Sequence, residues 1–256
     1  MCLEVSDYLE QSGLIDNTMV VFMSDNGTVA ASQNNRLVRN FLLGNKGHIY
    51  EGGIRVPLMI RWDGVIPPDT KSGNIVSVVD FFSSFTDLAG GTLSEEKEAV
   101  HDGHKIVLDN PQYCNNNRTL LTGAKLRWGD YALIYDHHSD KEENINKIRV
   151  YQLFNLTDNV NESIENNIAD QHPGIVYVMA QKLKQEIIDT DSEPLKISID
   201  EMIPPLDPGE KIKEAALKKI RAFEGCNKPS KVTRMIDKIK QTPRSNRNPP
   251  DEQRKP

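Results

Sequence analysis

The stretch GNKGHIYEGGIRVP, residues 44–57, sets four glycines and a proline into fourteen positions and threads Lys46, His48, Glu51 and Arg55 among them. Glycine serves where a backbone turns tightly or comes close to something else, so the stretch reads as a loop wrapped about a ligand. Lys46 is then the charge the loop presents. A lysine between glycines can approach an anion and offer it a point charge with three donors. Glu51 and Arg55 read instead as architecture, spaced to tie the loop down before an apolar run begins.

That run, VPLMIRW (56–62), is a strand entered through a proline. Upstream, LEVSDYLEQS (3–12) has helical spacing closed by Gly13, and TMVVFMS (18–24) reads as a buried strand. Downstream, VVDFFSSFTDLAGG (78–91) is a helix stopped by paired glycines. Helices alternating with apolar strands predict an α/β layered sheet. From residue 124 the texture changes. KLRWGDYALIYD (125–136) and KIRVYQLFNLTD (147–158) read as two alternating strands joined by the polar loop HHSDKEENIN, an antiparallel hairpin. A helix with Ile175, Val178, Met179, Leu183 and Ile187 on one face follows, and a last one carries Ile212, Ala216, Ile220 and Phe223 on a stripe.

Composition narrows the function classes. With 256 residues, 38% hydrophobic and 27% charged, the chain has the make-up of a soluble globular protein. Its net charge of −6 hides an asymmetry, because residues 227–256 hold nine Lys/Arg against three Asp/Glu and leave −12 on the rest. That balance argues against nucleic acid as a partner of the body. The tail has the composition of a disordered segment and is basic enough for weak polyanion binding. No run of eighteen apolar residues predicts a membrane span, and the acidic start MCLEVSDYLEQSG lacks the basic and apolar regions of a signal peptide. Cys2, Cys114 and Cys226 are too few and too scattered for a disulfide framework or a zinc site, which leaves the compartment open.

The segment MVVFMSDNG (19–27) delivers Asp25 and Asn26 at the end of a strand. In open α/β sheets ligands gather at the carboxyl ends of strands, and two oxygen-bearing side chains suit a hard cation such as calcium or magnesium. Asn-Gly after a strand is equally a hairpin signal. Both readings stand on these residues alone.

Taken in order, DNTMVVFMSDNG (16–27), GNKGHIYEGGIRVPLMIRWDGVIPPDT (44–70) and VVDFFSSFTDLAG (78–90) resemble the second half of the type I sulfatases of the alkaline phosphatase superfamily. The segment YQLFNLTDNVNESIENNIADQHPGIVYVMAQKLKQEI (151–187) resembles the usual close of those enzymes, so the likeness covers residues 1 to about 190. It implies an alkaline-phosphatase-like layered α/β fold. Residues 1–122 would be the C-terminal half of the catalytic domain, 123–195 a small α+β C-terminal subdomain with antiparallel strands, and 196–256 a helix and basic, disordered tail. By the same resemblance Asp25 and Asn26 match two metal ligands, normally for calcium, and Lys46 matches the lysine that holds the substrate's sulfate.

The resemblance further implies a sulfuric ester hydrolase, arylsulfatase-like, acting on a sulfated small molecule or glycan, in a family usually found outside the cytoplasm. Its nucleophile is a formylglycine made from the Cys or Ser of a C/S-x-P/A-x-R motif, and no such motif occurs in these 256 residues. Cys114 and Arg118 in CNNNRTLLTG share the motif's spacing, but Asn116 stands where Pro or Ala belongs. The chain alone is therefore expected to be inactive. Two alternatives remain at this point: a phosphodiesterase or phosphonate hydrolase of the same superfamily, and a truncated, non-catalytic binding protein.

Overall fold

A computed structural model describes residues 2–29, 42–93, 103–108, 110, 113–135, 151–190, 202 and 205–222. Helix α1 (Cys2–Gln11) leads into strand β1 (Val20–Met23), and the short helix α2 (Glu51–Ile54) precedes β2 (Leu58–Arg61) and helix α3 (Asp80–Leu88). Strands β3 (Thr119–Thr122), β4 (Lys125–Trp128), β5 (Tyr131–Tyr135) and β6 (Tyr151–Asn155) follow, then helices α4 (Pro173–Asp189) and α5 (Glu210–Ala222). The proposed tail, Phe223 and the histidine-bearing hairpin loop lie outside the described residues.

Strands β1 and β2 pair antiparallel, Val20 opposite Arg61 and Met23 opposite Leu58. Residues 24–57 therefore lie in sequence between one strand and its antiparallel neighbour. Among the described residues the partner of β1 is β2, which begins at Leu58, and no strand follows Asn26–Gly27 directly. Arg61 reaches from β2 to Glu10 of α1 at 2.8 Å and to Asp63 at 2.8 Å. Both contacts are exposed, so they orient α1 more than they stabilise it.

The second sheet is an antiparallel meander in the order β3-β4-β5-β6. The stretch KLRWGDYALIYD is two strands rather than one: Gly129, at φ +57°, turns the chain back at Gly129–Asp130, a conformation glycine adopts without the usual steric cost. Strand β3 was hidden in the sequence inside the stretch around Cys114. β5 is buried along its full length, which explains why it reads YALIY without polar alternation. On one face Leu126, Leu133 and Leu153 meet Ile175, Met179 and Leu183 of α4, with Ala216 and Ile220 of α5 beyond. Gly174 lets α5 close on α4, since a Cβ there would strike Ile212, which is half exposed rather than fully on the core stripe expected for it. On the other face Ala132, Ile134, Phe154 and Leu156 pack against Ile49 and Tyr50 of the glycine-rich stretch.

Buried charges lock that second contact. Lys125 of β4 donates to Glu51 Oε1 at 2.9 Å and lies 2.7 Å from Glu162 Oε1, a carboxylate whose other oxygen accepts the Glu51 backbone N–H at 2.6 Å. Arg55 Nη1 reaches Glu51 Oε2 at 3.1 Å, so the expected tie within the loop is present. A second buried pair, Asp80 with Arg118 at 2.8 Å, joins α3 to the entrance of β3. Asp80 also accepts the backbone N–H groups of Ser77 and His104.

Burial by itself would raise the pKa of Glu51, but Lys125, Arg127 and Arg55 outweigh it and hold the carboxyl down at about 2, against an ordinary 4.5. Its contribution to stability is therefore present above the ordinary value and lost as pH falls from about 4.5 towards 2. Glu162 has the opposite sign. Burial, reinforced by the charge of Glu51, raises its pKa despite Lys125, so its contribution is present below its ordinary value and lost as pH rises through the raised one. Urea midpoints measured from pH 7 to pH 2 should show an acid loss on the order of 3 kcal/mol from Glu51. Glu51→Gln should be less stable at neutral pH and should lack most of that acid limb; an unchanged limb would assign it to other carboxylates.

Candidate functional site

Beyond Met23 the chain bends through Ser24–Gly27, where the Ser24 hydroxyl donates to the Asn26 carbonyl at 3.0 Å. Asp25 is exposed and Asn26 half-buried. From there the backbone runs against the glycine-rich loop. The N–H of Gly27 donates to the Gly53 carbonyl at 2.8 Å, that of Lys46 to the Thr28 carbonyl at 2.7 Å, and that of Gly52 to the Leu43 carbonyl at 2.7 Å. These bonds bring the Asp25–Asn26 bend and the Lys46 loop into one assembly at the end of β1. The Lys46 side chain itself is exposed.

The glycines are there for close approach. A Cβ on Gly52 would collide with the carbonyls of Leu43 and Gly44, one on Gly53 with those of His48 and Asn45, and one on Gly27 with the carbonyl of Gly52. Backbone therefore lies directly on backbone, and no side chain fits between the layers. Glu51, placed beside this contact, is pinned by Lys125 and Arg55 as described above, and His48 Nδ1 accepts the Asn45 N–H at 3.3 Å. So the charges of the stretch divide: Glu51 and Arg55 serve the loop's shape, and Lys46 is left over.

Among the described residues the side chains of Asp25, Asn26 and Lys46 enter no hydrogen bond or ion pair with the protein. Two oxygen-bearing side chains and one ammonium are thus carried by backbone segments bonded to one another after β1. The oxygens are of the hard kind that calcium accepts, but they make only part of a shell of six or more. No group of three or more His, Cys, Asp or Glu that could hold a metal occurs among the described residues, so further donors have to come from backbone, water or another polypeptide.

The Cys114–Arg118 spacing carries no chemistry here. Arg118 is buried and committed to Asp80, and Cys114 is held in a disulfide. His104, whose backbone joins the same cluster, is depressed in pKa by burial and by the nearby Arg118. Sequence reasoning missed Lys125 and Glu162, which hold the loop from beneath: a lysine in a strand reads as solvent-facing, and a glutamate in an Asn-rich loop as one more polar residue. Replacing Gly53 by Ala should lower stability by about 1–3 kcal/mol or more through overpacking. A urea titration that leaves the midpoint unmoved would contradict the close backbone contact.

Residues 4–91 match the sulfatase family model. A sulfatase of Formosa agariphila is 29% identical over 191 residues, which cover 69% of this chain and 34% of that protein. An N-acetylgalactosamine-6-O-sulfatase of Bacteroides thetaiotaomicron is 26% identical over 199 residues, covering 71% of this chain and 38% of its own length. A solved structure from work on the metabolism of multiple glycosaminoglycans by Bacteroides thetaiotaomicron superposes with a TM-score of 0.55 at 25% identity, over 73% of this chain and 42% of that one. The antiparallel and helical elements described above thus sit in the layered α/β architecture of the sulfatases. Residues 4–91 are thus similar to the sulfatase family, in a chain that spans little more than a third of the length of these curated relatives.

Proposed function

We propose that this chain carries the sulfate-holding lysine and two metal-ligating side chains of a sulfuric ester hydrolase. The observation that carries the reading is the backbone bond from Lys46 to Thr28, 2.7 Å, which ties the lysine's loop to the bend bearing Asp25 and Asn26, three side chains without protein partners among the described residues. In this reading the Lys46 ammonium donates to non-bridging oxygens of the sulfate group. Asp25 and Asn26 give two oxygens to a calcium ion, which when bound supplies positive charge beside the transferring group. The buried Glu51–Lys125 pair keeps the loop, and with it Lys46, from drifting.

The parent reaction is hydrolysis of a sulfate ester to an alcohol and sulfate. Its nucleophile is the formylglycine of the family, for which this sequence has no motif, so the 256 residues alone bind without turning over. The substrate class is a sulfated glycan or smaller sulfated molecule, supported by the amino-sugar sulfatase among the relatives. Titration of the purified chain with inorganic sulfate in calcium should show binding that Lys46→Ala weakens about tenfold or more, the worth of a hydrogen bond to a charged group. Asp25→Ala should weaken calcium binding measured separately. Equal sulfate affinity in Lys46→Ala, or aryl sulfate turnover by the wild-type chain, would overturn this reading.

A further inference from the structure

Four Asn-x-Ser/Thr sequences occur in the chain, at Asn26, Asn117, Asn155 and Asn161, and the fold treats them very differently. The motif is an acceptor for N-linked oligosaccharide, a bulky polar group that has to stand in solvent. Three of the four are engaged in the fold. Asn26 is half-buried in the bend beside the Lys46 loop, and the carbonyl of Thr28, the third residue of its motif, accepts the Lys46 N–H. Asn155 donates from Nδ2, the atom that would carry a glycan, to Asp158 at 2.7 Å, while its Oδ1 accepts the Thr157 N–H at 3.1 Å. Asn161 lies in sequence between Val160 and Glu162, both buried, and its Oδ1 accepts the Ser163 N–H at 3.1 Å.

Asn117 stands apart. It is exposed, in the turn Asn116–Asn117 that leads into β3, and among the described residues its side chain enters no hydrogen bond. Other atoms hold the turn: the Asn117 N–H donates to Asn115 Oδ1 at 3.2 Å, the Asn116 carbonyl accepts from Trp128 Nε1 at 3.4 Å, and Arg118 is buried on Asp80. Among the described residues β3 is an edge strand of the meander with β4 as its one strand neighbour, so a large substituent at its entrance displaces no paired strand. A second observation, independent of the motif, points the same way. Cys114, just upstream, is held in a disulfide, and disulfides form in the oxidising compartments where N-glycans are also attached.

We propose that Asn117 is a site of N-linked glycosylation. In the transfer, Asn117 Nδ2 bonds to the anomeric carbon of an oligosaccharide carried on a lipid pyrophosphate. The bond from that carbon to the pyrophosphate oxygen breaks, the lipid pyrophosphate leaves with the electron pair, and the amide proton passes to a base of the transferase, with no oxidation or reduction. Thr119 supplies the hydroxyl of the motif, and in the folded chain that hydroxyl donates to Glu186 of α4 at 2.7 Å. Glu186 lies 67 residues further on, so a transferase acting on the growing chain meets the motif before the helix that occupies its hydroxyl has been made. The assignment does not depend on what Lys46 binds.

The test is to direct the full 256-residue chain into the secretory pathway of a eukaryotic host cell with a cleavable leader, and to read it by mass spectrometry before and after peptide N-glycosidase in heavy-oxygen water. The peptide containing Asn117 should be shifted by the mass of one glycan, and digestion should remove that shift and convert Asn117 to a labelled aspartate. Asn117→Gln and Thr119→Val should abolish the modification, and Thr119→Ser, which keeps the hydroxyl, should retain it. These readouts are made on the digested chain, so they do not require any variant to fold. An unmodified Asn117 in the wild-type chain, a glycan on it that survives Thr119→Val, or its complete loss in Thr119→Ser would overturn the assignment.

Discussion

The ammonium of Lys125, buried between Glu51 and Glu162, is the contact on which the arrangement of this molecule turns. It joins three pieces that sequence keeps apart: the short helix after the Lys46 loop, the second strand of the meander, and the segment at Glu162 before α4. Buried ion pairs are weak sources of net stability, because desolvation offsets much of the attraction, yet removing one member costs about 3–5 kcal/mol. The value of this one is specificity of position. Glu51 accepts from Lys125 and Arg55 while its own N–H donates to Glu162, so helix α2 has one seat on the sheet. The apolar contact of Ile49 and Tyr50 with Phe154 and Leu156 supplies the burial, and the charges select the register.

A related division of labour runs through the Lys46 loop. Glycines at 27, 52 and 53 let three backbone segments lie in direct contact, and their carbonyls and N–H groups satisfy one another. Such a loop needs no side-chain packing of its own to stay in place. Its side chains are therefore free for other work, and Glu51 turns inward to the sheet with Arg55 paired to it while Lys46 is exposed.

Much of this was legible beforehand, for identifiable reasons. The strands at 20–23 and 58–61 and the helices at 80–88, 173–189 and 210–222 announced themselves by apolar period and by proline or glycine at their ends. The Glu51–Arg55 tie was legible because it is local, one helical turn apart. Strand β3 was missed because TLLT is four residues long and sits in a stretch whose cysteine drew attention, and the β4–β5 turn because WGD between two apolar runs is too short to break an alternating pattern by eye. The site's backbone bonds and the buried lysine were out of reach in principle: Lys125 and Glu51 are 74 residues apart, and no local period encodes which glutamate meets which lysine. The importance of the glycines was readable, but not that Gly27, Gly52 and Gly53 lie against the chain's own backbone.

The separation of those partners also sets an order of events during synthesis. Glu51 and Glu162 are 111 residues apart, so the Lys46 loop leaves the ribosome long before the groups that seat its helix exist. Until β4 and then the turn at Glu162 have emerged, Glu51 is a carboxylate with only Arg55 for company, and Ile49 and Tyr50 have no sheet to cover. The loop is early in sequence and late in completion. For that whole interval its glycines are free to wander, and the first part of the chain depends for its final shape on a part that has not yet been made.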